Sequence, residues 1–403
     1  MTLSVDVRDG DAILGVVPRA AYAPASVDEC AEVMAMAAGE RLRVGFVGGG
    51  TALELGLPPT ALDAVIRTER LANILEYAPA DMVMVVEAGA TLAAIQAAAG
   101  AHGQRLALDA PWPARATIGG LVATGAFGPL RARYGGVRDL IIGVTLVRAD
   151  GAVARGGGKV VKNVAGFDLP KVACGSLGTL GLIAAAAFRL HPLPETATTV
   201  MVPGLAADAV VALVAAARQA QLEPACAVAL TTAAGAAAGR FDFGLRFEGF
   251  ERGVQHQVAR MLELADATGS PAAALSGAGA AAFWSRHDAI RAAAPLRVHV
   301  AALPTRFAAV AALVSRFGDV AWYATLGIGF AGGATGDAAI VTAARAALVA
   351  EGGSLVVEAA PAALRSTVDP WGPLPSAFAI MRRLKQRFDP EGRLNPGRFV
   401  GGL

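Results

Sequence analysis

Near the N-terminus the apolar positions follow a helical period. In SVDECAEVMAMAAGE, residues 26 to 40, Val27, Cys30, Val33 and Met34 fall on one face. Ser26 stands at the N-cap, and Glu29 follows at the spacing of a capping box. The pattern then changes. RVGFVGGGT predicts a short buried strand, Val44 to Val47, running into Gly48, Gly49, Gly50 and Thr51. MVMVVEAGATLAAIQAAAGAHG predicts a strand from Met82 to Glu87, a turn at Gly89, and a helix from about Thr91 to Gly100 or Gly103. The order helix, strand, strand, helix suggests a small α+β unit.

From Ala116 glycine turns alternate with β-branched runs. Ile141 to Arg148 and Ile183 to Leu190 read as strands, and Ala149-Asp150-Gly151-Ala152 as a hairpin turn. HPLPETATTVMVPG, residues 191 to 204, reads as a linker rich in proline and threonine. Beyond it, residues 205 to 220 and 251 to 267 predict amphipathic helices. Phe241 to Phe247, Arg297 to Leu303 and Val320 to Leu326 predict strands. This suggests a second α+β domain with an antiparallel sheet. The tail predicts a helix with Phe378, Met381, Leu384 and Phe388 on one side, then two turns at Asp389-Pro390-Glu391-Gly392 and Asn395-Pro396-Gly397.

Between these elements lies the densest chemistry, RGGGKVVKNVAGFDLPKVACGSLGTLGLI, from Arg155 to Ile183. It holds Gly156, Gly157, Gly158, Gly166, Gly175, Gly178 and Gly181. It also holds Lys159, Lys162 and Lys171, three of the four lysines in the chain. Glycine at this density permits positive φ and brings bare backbone N–H groups close to a ligand, a phosphate or a flat ring above all. Plain tight turns are the alternative reading.

Bulk composition narrows the field. At 403 residues the chain has room for two or three domains. It is 55% hydrophobic and 17% charged, with a formal charge of +2, and no basic block points to nucleic acid. The uncharged run Ala267 to Ser285 is made of small residues and contains Pro271, unlike a spanning helix. MTLSVDVRDGD lacks the apolar core of a signal peptide, so a cytoplasmic, soluble chain is expected. Cys30, Cys174 and Cys226 are too few for a four-cysteine iron–sulfur cluster. His102, His191, His256, His287 and His299 are isolated, so no metal site is expected.

The phosphate motifs can be tested one by one. Gly48-Gly49-Gly50-Thr51 follows a strand but does not complete a dinucleotide fingerprint. In GGGKV the lysine is followed by Val160, so the magnesium ligand of a P-loop is missing. Gly175 to Gly181 leads into a strand and not a helix. What remains is a cofactor with a pyrophosphate and a large planar part, held by several glycine-rich turns. FAD meets that need.

VGGGT, ATIGGLVATG, YGGVRDLIIGVTLVRADG and KNVAGFDLPKVACGSLGTLGLI, in this order, resemble the FAD-binding domain of the vanillyl-alcohol oxidase or PCMH type. FDPEGRLNPGRF resembles the C-terminal sequence of that family. The resemblance implies an α+β fold, with a two-lobed FAD-binding domain at 1–195, a smaller α+β cap with an antiparallel sheet at 196–374, and a returning segment at 375–403. Within the family, KNVAGFDLPK and the short cap resemble the FAD-binding subunits of bacterial glycolate oxidase complexes. That likeness implies non-covalent FAD, a second FAD subunit and an iron–sulfur subunit as partners, and a small 2-hydroxy acid as substrate. Any membrane association would be indirect, through the complex.

The resemblance also implies where the cofactor lies. Gly48, Gly49, Gly50 and Thr51 would wrap the pyrophosphate. Pro113, Ala116, Thr117, Ile118, Gly119 and Gly120 would run beside it and the flavin ring, with Gly125 and Gly128 continuing that wall. Lys162, Asn163, Val164, Ala165, Gly166 and Phe167 would lie near the flavin. Gly175, Ser176, Gly178, Thr179, Gly181 and Ile183 would enclose the adenosine and ribityl portion. Asn395 and Gly397 would bring the tail back onto the domain.

The chain departs from the related 2-hydroxy acid dehydrogenases in one respect. Where they place paired histidines, WYATLGIGFAGGATG has none. Arg297, His299, Tyr323, Arg382 and Arg383 are the candidate substrate groups, and the catalytic residues stay unassigned. Three readings stay open: a flavin subunit of a glycolate oxidase complex, a self-sufficient FAD-dependent dehydrogenase, and a scaffold subunit without a redox role.

Overall fold

The structure is a computed structural model and describes residues 3–158, 166–292, 295–333 and 337–403. The chain divides into two units. The first comprises 1–128, 134–193 and 373–403, and the second 129–133 and 194–372.

The first unit contains β1 (Ser4–Val5), β2 (Ala20–Tyr22), β3 (Val44–Val47), β4 (Ala64–Arg67), β5 (Ile74–Ala78) and β6 (Val83–Glu87). It continues with β7 (Gln104–Arg105), β8 (Ile141–Val147), β9 (Val153–Gly157), β10 (Leu182–Arg189) and β11 (His191–Pro192). Two sheets result, ordered β1-β2-β4-β3 and β5-β6-β10-β8-β9, with β7 and β11 forming a separate pair. In the first sheet β2 and β3 both run parallel to β4. The second sheet is antiparallel throughout. Its hairpin β8–β9 closes at the expected Asp-Gly turn, where Gly151 has φ +84°.

The helix Val27–Gly39 buries Cys30, Val33, Met34 and Ala37. These pack with Val44, Ile66, Val147, Leu182 and Leu394, which joins both sheets and the C-terminal segment in one core. The Ser26 hydroxyl accepts from the Glu29 N–H at 3.1 Å as expected. Glu29 reaches past Ser26, however, and accepts from the Ala25 N–H at 2.7 Å.

The second unit contains β12 (Thr196–Leu205), β13 (Cys226–Thr231), β14 (Phe241–Gly249), β15 (Ala273–Leu275), β16 (Leu296–Ala301), β17 (Asp319–Tyr323), β18 (Ile328–Gly333) and β19 (Ser354–Ala359). They form one antiparallel sheet, β15-β12-β14-β13-β17-β18-β16-β19. Phe241, Phe243, Leu245 and Phe247 alternate onto one face with Trp322 and Val298. The helices Ala207–Gln219, Glu251–Ala267, Phe307–Val314 and Ala338–Ala350 contribute to the same core. The helix Gly277–Arg291 lies against the other face, with Phe283 seated where Gly244 has no side chain.

Two expectations need correction. Residues 191 to 204 are mostly strand and not linker, because the β-branched run TATTV alternates through β12 and pairs with β14. The strand expected to reach Leu326 stops at Tyr323, where the Leu326 and Gly327 N–H groups both donate to its carbonyl in a turn. In the tail helix, Phe378–Phe388, the apolar residues Phe378, Met381, Leu384 and Phe388 are half-buried along one side as expected, and Lys385 beside them is buried outright.

Candidate functional site

A cleft within the first unit gathers four pieces of chain: Phe46 to Leu53, the region from Thr117 to Thr124, Leu177 to Ile183, and the tail at Asn395 and Arg398. β3 ends at Val47, and the chain after it presses directly onto another backbone. A Cβ at Gly49 would lie 1.6 Å from the Arg115 carbonyl oxygen, and one at Gly48 would lie 2.3 Å from Thr117 Oγ1. Only glycine permits this approach. Gly50 then turns with φ +71°. Among the described residues, none of the amides from Gly48 to Thr51 donates to a protein acceptor. Such a run of free N–H groups is a concave anion site.

The facing wall is the helix Ile118–Thr124. Thr117 occupies its N-cap, but its hydroxyl makes no capping bond. That hydroxyl is buried without a hydrogen-bond partner, as is the hydroxyl of Thr68. Both surround the missing side chain of Gly48, at 2.3 and 3.5 Å from where its Cβ would be.

The third wall is held from two sides. The Gly175 and Leu177 N–H groups donate to Val122 and Ala123 at 2.8 and 2.7 Å. Asn395 Nδ2 donates to the Leu177 carbonyl at 2.8 Å, while the Asn395 N–H donates to Val44 at 2.8 Å. Gly178, at φ +69°, lies so close that a Cβ would meet Asn395 Nδ2 at 2.6 Å. Asn395 Oδ1 is buried without a donor. Arg398 is buried too and donates to the Leu53 and Leu55 carbonyls at 2.9 Å each. Desolvation by burial pulls its pKa down to about 10, so its charge persists at neutral pH.

Of the residues expected around the cofactor, Gly48, Gly49, Gly50, Thr51, Thr117, Gly119, Gly120, Gly178, Gly181, Ile183 and Asn395 share this cleft. Others lie off its wall. Ala116 and Ile118 are core residues, and the Pro113 carbonyl accepts from Ala93. Gly125, at φ +64°, caps the helix, and Gly128 makes room for Asp109. Gly175 turns at φ +74°, and Ser176 and Thr179 are buried beside the cleft. Gly397 sits against Thr60. Phe167 is 98% exposed, next to Gly166. Lys162, Asn163, Val164 and Ala165 lie outside the described residues.

Phe46, Leu53, Thr68, Ala123, Thr124, Leu177, Leu182 and Arg398 line the cleft but were not expected there. Phe46, Ala123, Thr124, Leu177, Leu182 and Arg398 lie within the quoted motifs without having been assigned to the cofactor, and Leu53 and Thr68 lie outside them. The arginine in NPGRF stands directly after the turn.

The candidate substrate groups divide. Arg382 and Arg383 are exposed. Tyr323 is buried in the second unit, where its hydroxyl accepts from Arg291 Nη1 at 2.7 Å and lies 2.8 Å from His287 Nε2. His287 Nδ1 is 2.9 Å from a carboxylate oxygen of Asp288, which can only accept, so Nδ1 carries the proton. Burial, opposed by the hydrogen bond to Asp288, lowers the His287 pKa. The ring is therefore neutral, and Nε2 accepts from Tyr323. His299 stacks on Phe330, and Arg291 lies 3.5 Å above the same ring.

The cleft asks for a particular ligand. It offers free amide donors, two unsatisfied hydroxyls, an unsatisfied amide oxygen and a buried cation. A pyrophosphate bearing hydroxyl groups on either side satisfies all of them. Residues 18–157 match the family described as FAD binding domain. Over those residues the chain is similar to FAD-binding domains.

Relatives and folds extend the picture. The chain is 36% identical over 149 residues to glycolate oxidase subunit GlcE of Escherichia coli (strain K12), covering 37% of this chain and 42% of that one. It is 34% identical over 193 residues to a D-lactate dehydrogenase of Archaeoglobus fulgidus, covering 47% and 43%. These matches thus span less than half the length of either relative. The fold matches p-cresol methylhydroxylase with substrate bound at TM-score 0.70 and 14% identity, over 95% of this chain and 89% of that one. It matches alkyldihydroxyacetonephosphate synthase at TM-score 0.71 and 16% identity, over 94% and 76%. The chain therefore shares the α+β fold of these proteins, and its second unit carries an antiparallel sheet. Among the described residues no helix is long and apolar enough to cross a membrane.

Proposed function

We propose that this chain is an FAD-dependent oxidoreductase acting on CH–OH groups, and that it serves as one of the FAD-binding subunits of a glycolate oxidase complex. In this reading the complex oxidises glycolate to glyoxylate and passes the electrons to a second FAD subunit and an iron–sulfur subunit. The observation that carries it is the row of acceptor-free amides from Gly48 to Thr51 facing the unsatisfied Thr117 hydroxyl. Gly48 to Thr51 and Thr117 would hold the pyrophosphate. Gly178, Gly181, Ile183 and Asn395 would hold the adenosine and ribityl part, and Arg398 would add positive charge. Bound FAD supplies the acceptor for the two electrons that leave the alcohol carbon. The likeness to the glycolate oxidase subunit supports the substrate and the complex. With three cysteines in all, a four-cysteine cluster would have to come from a partner.

The likeness to a D-lactate dehydrogenase favours a second reading, a self-sufficient dehydrogenase of another 2-hydroxy acid. An absorption spectrum of the purified chain, repeated after anaerobic addition of glycolate or D-lactate, separates the two. A flavin spectrum that stays oxidised alone, but bleaches with glycolate once partner subunits are added, supports the subunit. Bleaching of the isolated chain by D-lactate supports the dehydrogenase. No flavin after addition of FAD would overturn both.

A further inference from the structure

We propose that Arg115 is a positioning residue for the cofactor phosphates: its guanidinium holds the loop Gly48–Thr51 by a carbonyl, keeps the amide donors of that loop oriented, and adds positive charge beside them. The assignment rests on the FAD reading of the cleft. Arg115 stands one residue ahead of ATIGGLVATG, outside every motif that pointed to the cofactor.

Arg115 meets the loop twice. Its backbone carbonyl oxygen fills the space beside Gly49, 1.6 Å from where a Cβ would lie. Its side chain returns to the same residue. Nη2 donates to the Gly49 carbonyl at 3.4 Å and lies 3.8 Å from the Cβ position of Gly50. The backbone that carries this side chain is itself held, since the N–H groups of Arg115 and Ala116 donate to the Trp112 carbonyl at 2.9 and 2.7 Å.

A trans peptide points its C=O and its N–H in opposite directions. The peptide between Gly49 and Gly50 therefore has the guanidinium on its carbonyl edge and the acceptor-free Gly50 N–H on its far edge. Both glycines line the cleft. With no side chain on either, little else fixes the tilt of this plane. A cation at the carbonyl edge fixes it and polarises the peptide, so that an anion at the far edge meets a stronger donor. Arg398 treats the other end of the segment alike, donating to the Leu53 and Leu55 carbonyls at 2.9 Å each. Two guanidiniums thus engage carbonyls of one stretch of chain whose amides from Gly48 to Thr51 stay open.

The two arginines differ in charge environment. Arg398 is buried, whereas Arg115 is exposed and, among the described residues, pairs with no carboxylate. A structural arginine would serve the empty loop as well as the full one. Arg115 gains a counter-charge only when a diphosphate lies in the cleft, and salt screens that gain because the group is exposed.

Equilibrium titration of the flavin-free protein with FAD, followed by flavin fluorescence at low and high salt, tests the assignment. Arg115→Met keeps the stem and removes the charge. It should weaken FAD by about 3- to 10-fold, the value of one hydrogen bond. The gap to the wild type should narrow between about 20 mM and about 500 mM salt, as screening weakens the wild-type charge. Arg115→Lys keeps a donor and a charge and should recover most of the affinity at low salt. The melting temperature of the flavin-free form should be the same in all three proteins, because an exposed side chain contributes little to the empty fold. Equal FAD affinity in Arg115→Met and the wild type would overturn the assignment and leave the FAD reading intact. A gap indifferent to salt, with no recovery by lysine, would overturn it too and make Arg115 a structural prop. Wild-type protein that takes up no FAD would overturn the FAD reading, and the assignment with it.

Discussion

Lys385 Nζ donates to the carbonyl oxygen of Thr179 at 3.0 Å, across 206 residues of chain. The same ammonium donates to Asp389 Oδ2 at 2.7 Å and to the Leu394 carbonyl at 2.8 Å. All three of its protons are used in a buried position. Burial lowers its pKa, and Asp389 works against that shift. The group thus fastens the tail that carries Asn395 and Arg398 to the loop that carries Gly178. Lys385→Met keeps the length of the side chain but leaves Asp389 buried without its cation. Loss of one partner of a buried pair costs about 3–5 kcal/mol. The variant is expected to melt earlier than the wild type and to release FAD faster, as followed by flavin fluorescence on dilution. A wild-type release rate would mean that the tail does not govern the cleft.

Gly49 offers a steric test of the cleft. Its missing side chain is replaced in space by the Arg115 carbonyl, 1.6 Å from a would-be Cβ. Backbone cannot give way as a flexible side chain can, so Gly49→Ala must open the loop. The expected result is protein purified without its flavin absorbance and not reconstituted by added FAD. Gly10 has nothing within 4 Å of its Cβ position, and Gly10→Ala should retain the cofactor in full. Equal flavin content in the two variants would remove the Gly48–Thr51 loop from the FAD site.

What the sequence made legible was mainly local. The loop after Val47 could be read because three glycines follow a buried strand, and the turn at Asp150-Gly151 because its chemistry is contained in four residues. Arg398 and Thr68 were not legible. Each reaches the cleft only through tertiary packing, and a single arginine or threonine leaves no periodic trace. The strand Thr196–Leu205 was hidden by the prolines and glycine around it, although its alternating β-branched residues were in view. Lys385 was concealed differently. In the helix Phe378–Phe388 a strongly amphipathic pattern assigns lysine to solvent, and only the acceptors on Thr179, Asp389 and Leu394 reverse that assignment.

Thr117 separates a ligand role from a structural one. Its hydroxyl is buried with no partner among the protein groups. Removing an unsatisfied buried hydroxyl does not harm the empty protein, because no hydrogen bond is lost and less desolvation is paid. Removing a donor to a phosphate oxygen does harm binding, by about 1.5–3 kcal/mol for a hydrogen bond to a charged group. Thr117→Val is therefore expected to leave the melting temperature of the apo form unchanged or slightly higher. It should weaken FAD by roughly 10- to 100-fold in equilibrium titration. Unaltered FAD affinity would place Thr117 outside the ligand's reach.

Asp11 and Arg67 give the first unit a defined sensitivity to acid. Burial by itself would raise the Asp11 carboxyl. It is outweighed by Arg67, which donates from Nε at 2.8 Å and Nη2 at 2.7 Å, and by the Arg8 N–H at 2.9 Å. The carboxyl is held below its ordinary value of 3.8. The folded protein therefore binds this proton more weakly than the unfolded chain does. The stabilisation is complete above the unfolded pKa, about 3.9, and is lost as pH falls through the folded value. Asp11→Asn leaves Arg67 without its counter-charge and should cost about 3 kcal/mol at pH 7. Urea unfolding of wild type and variant from pH 7 to pH 3 checks this. The gap between them is expected to hold steady down to about pH 5 and to narrow below pH 4, as the wild-type carboxyl takes up its proton. A gap that stays constant to pH 3 would show that Asp11 keeps its ordinary affinity for protons and that the pair acts through shape alone.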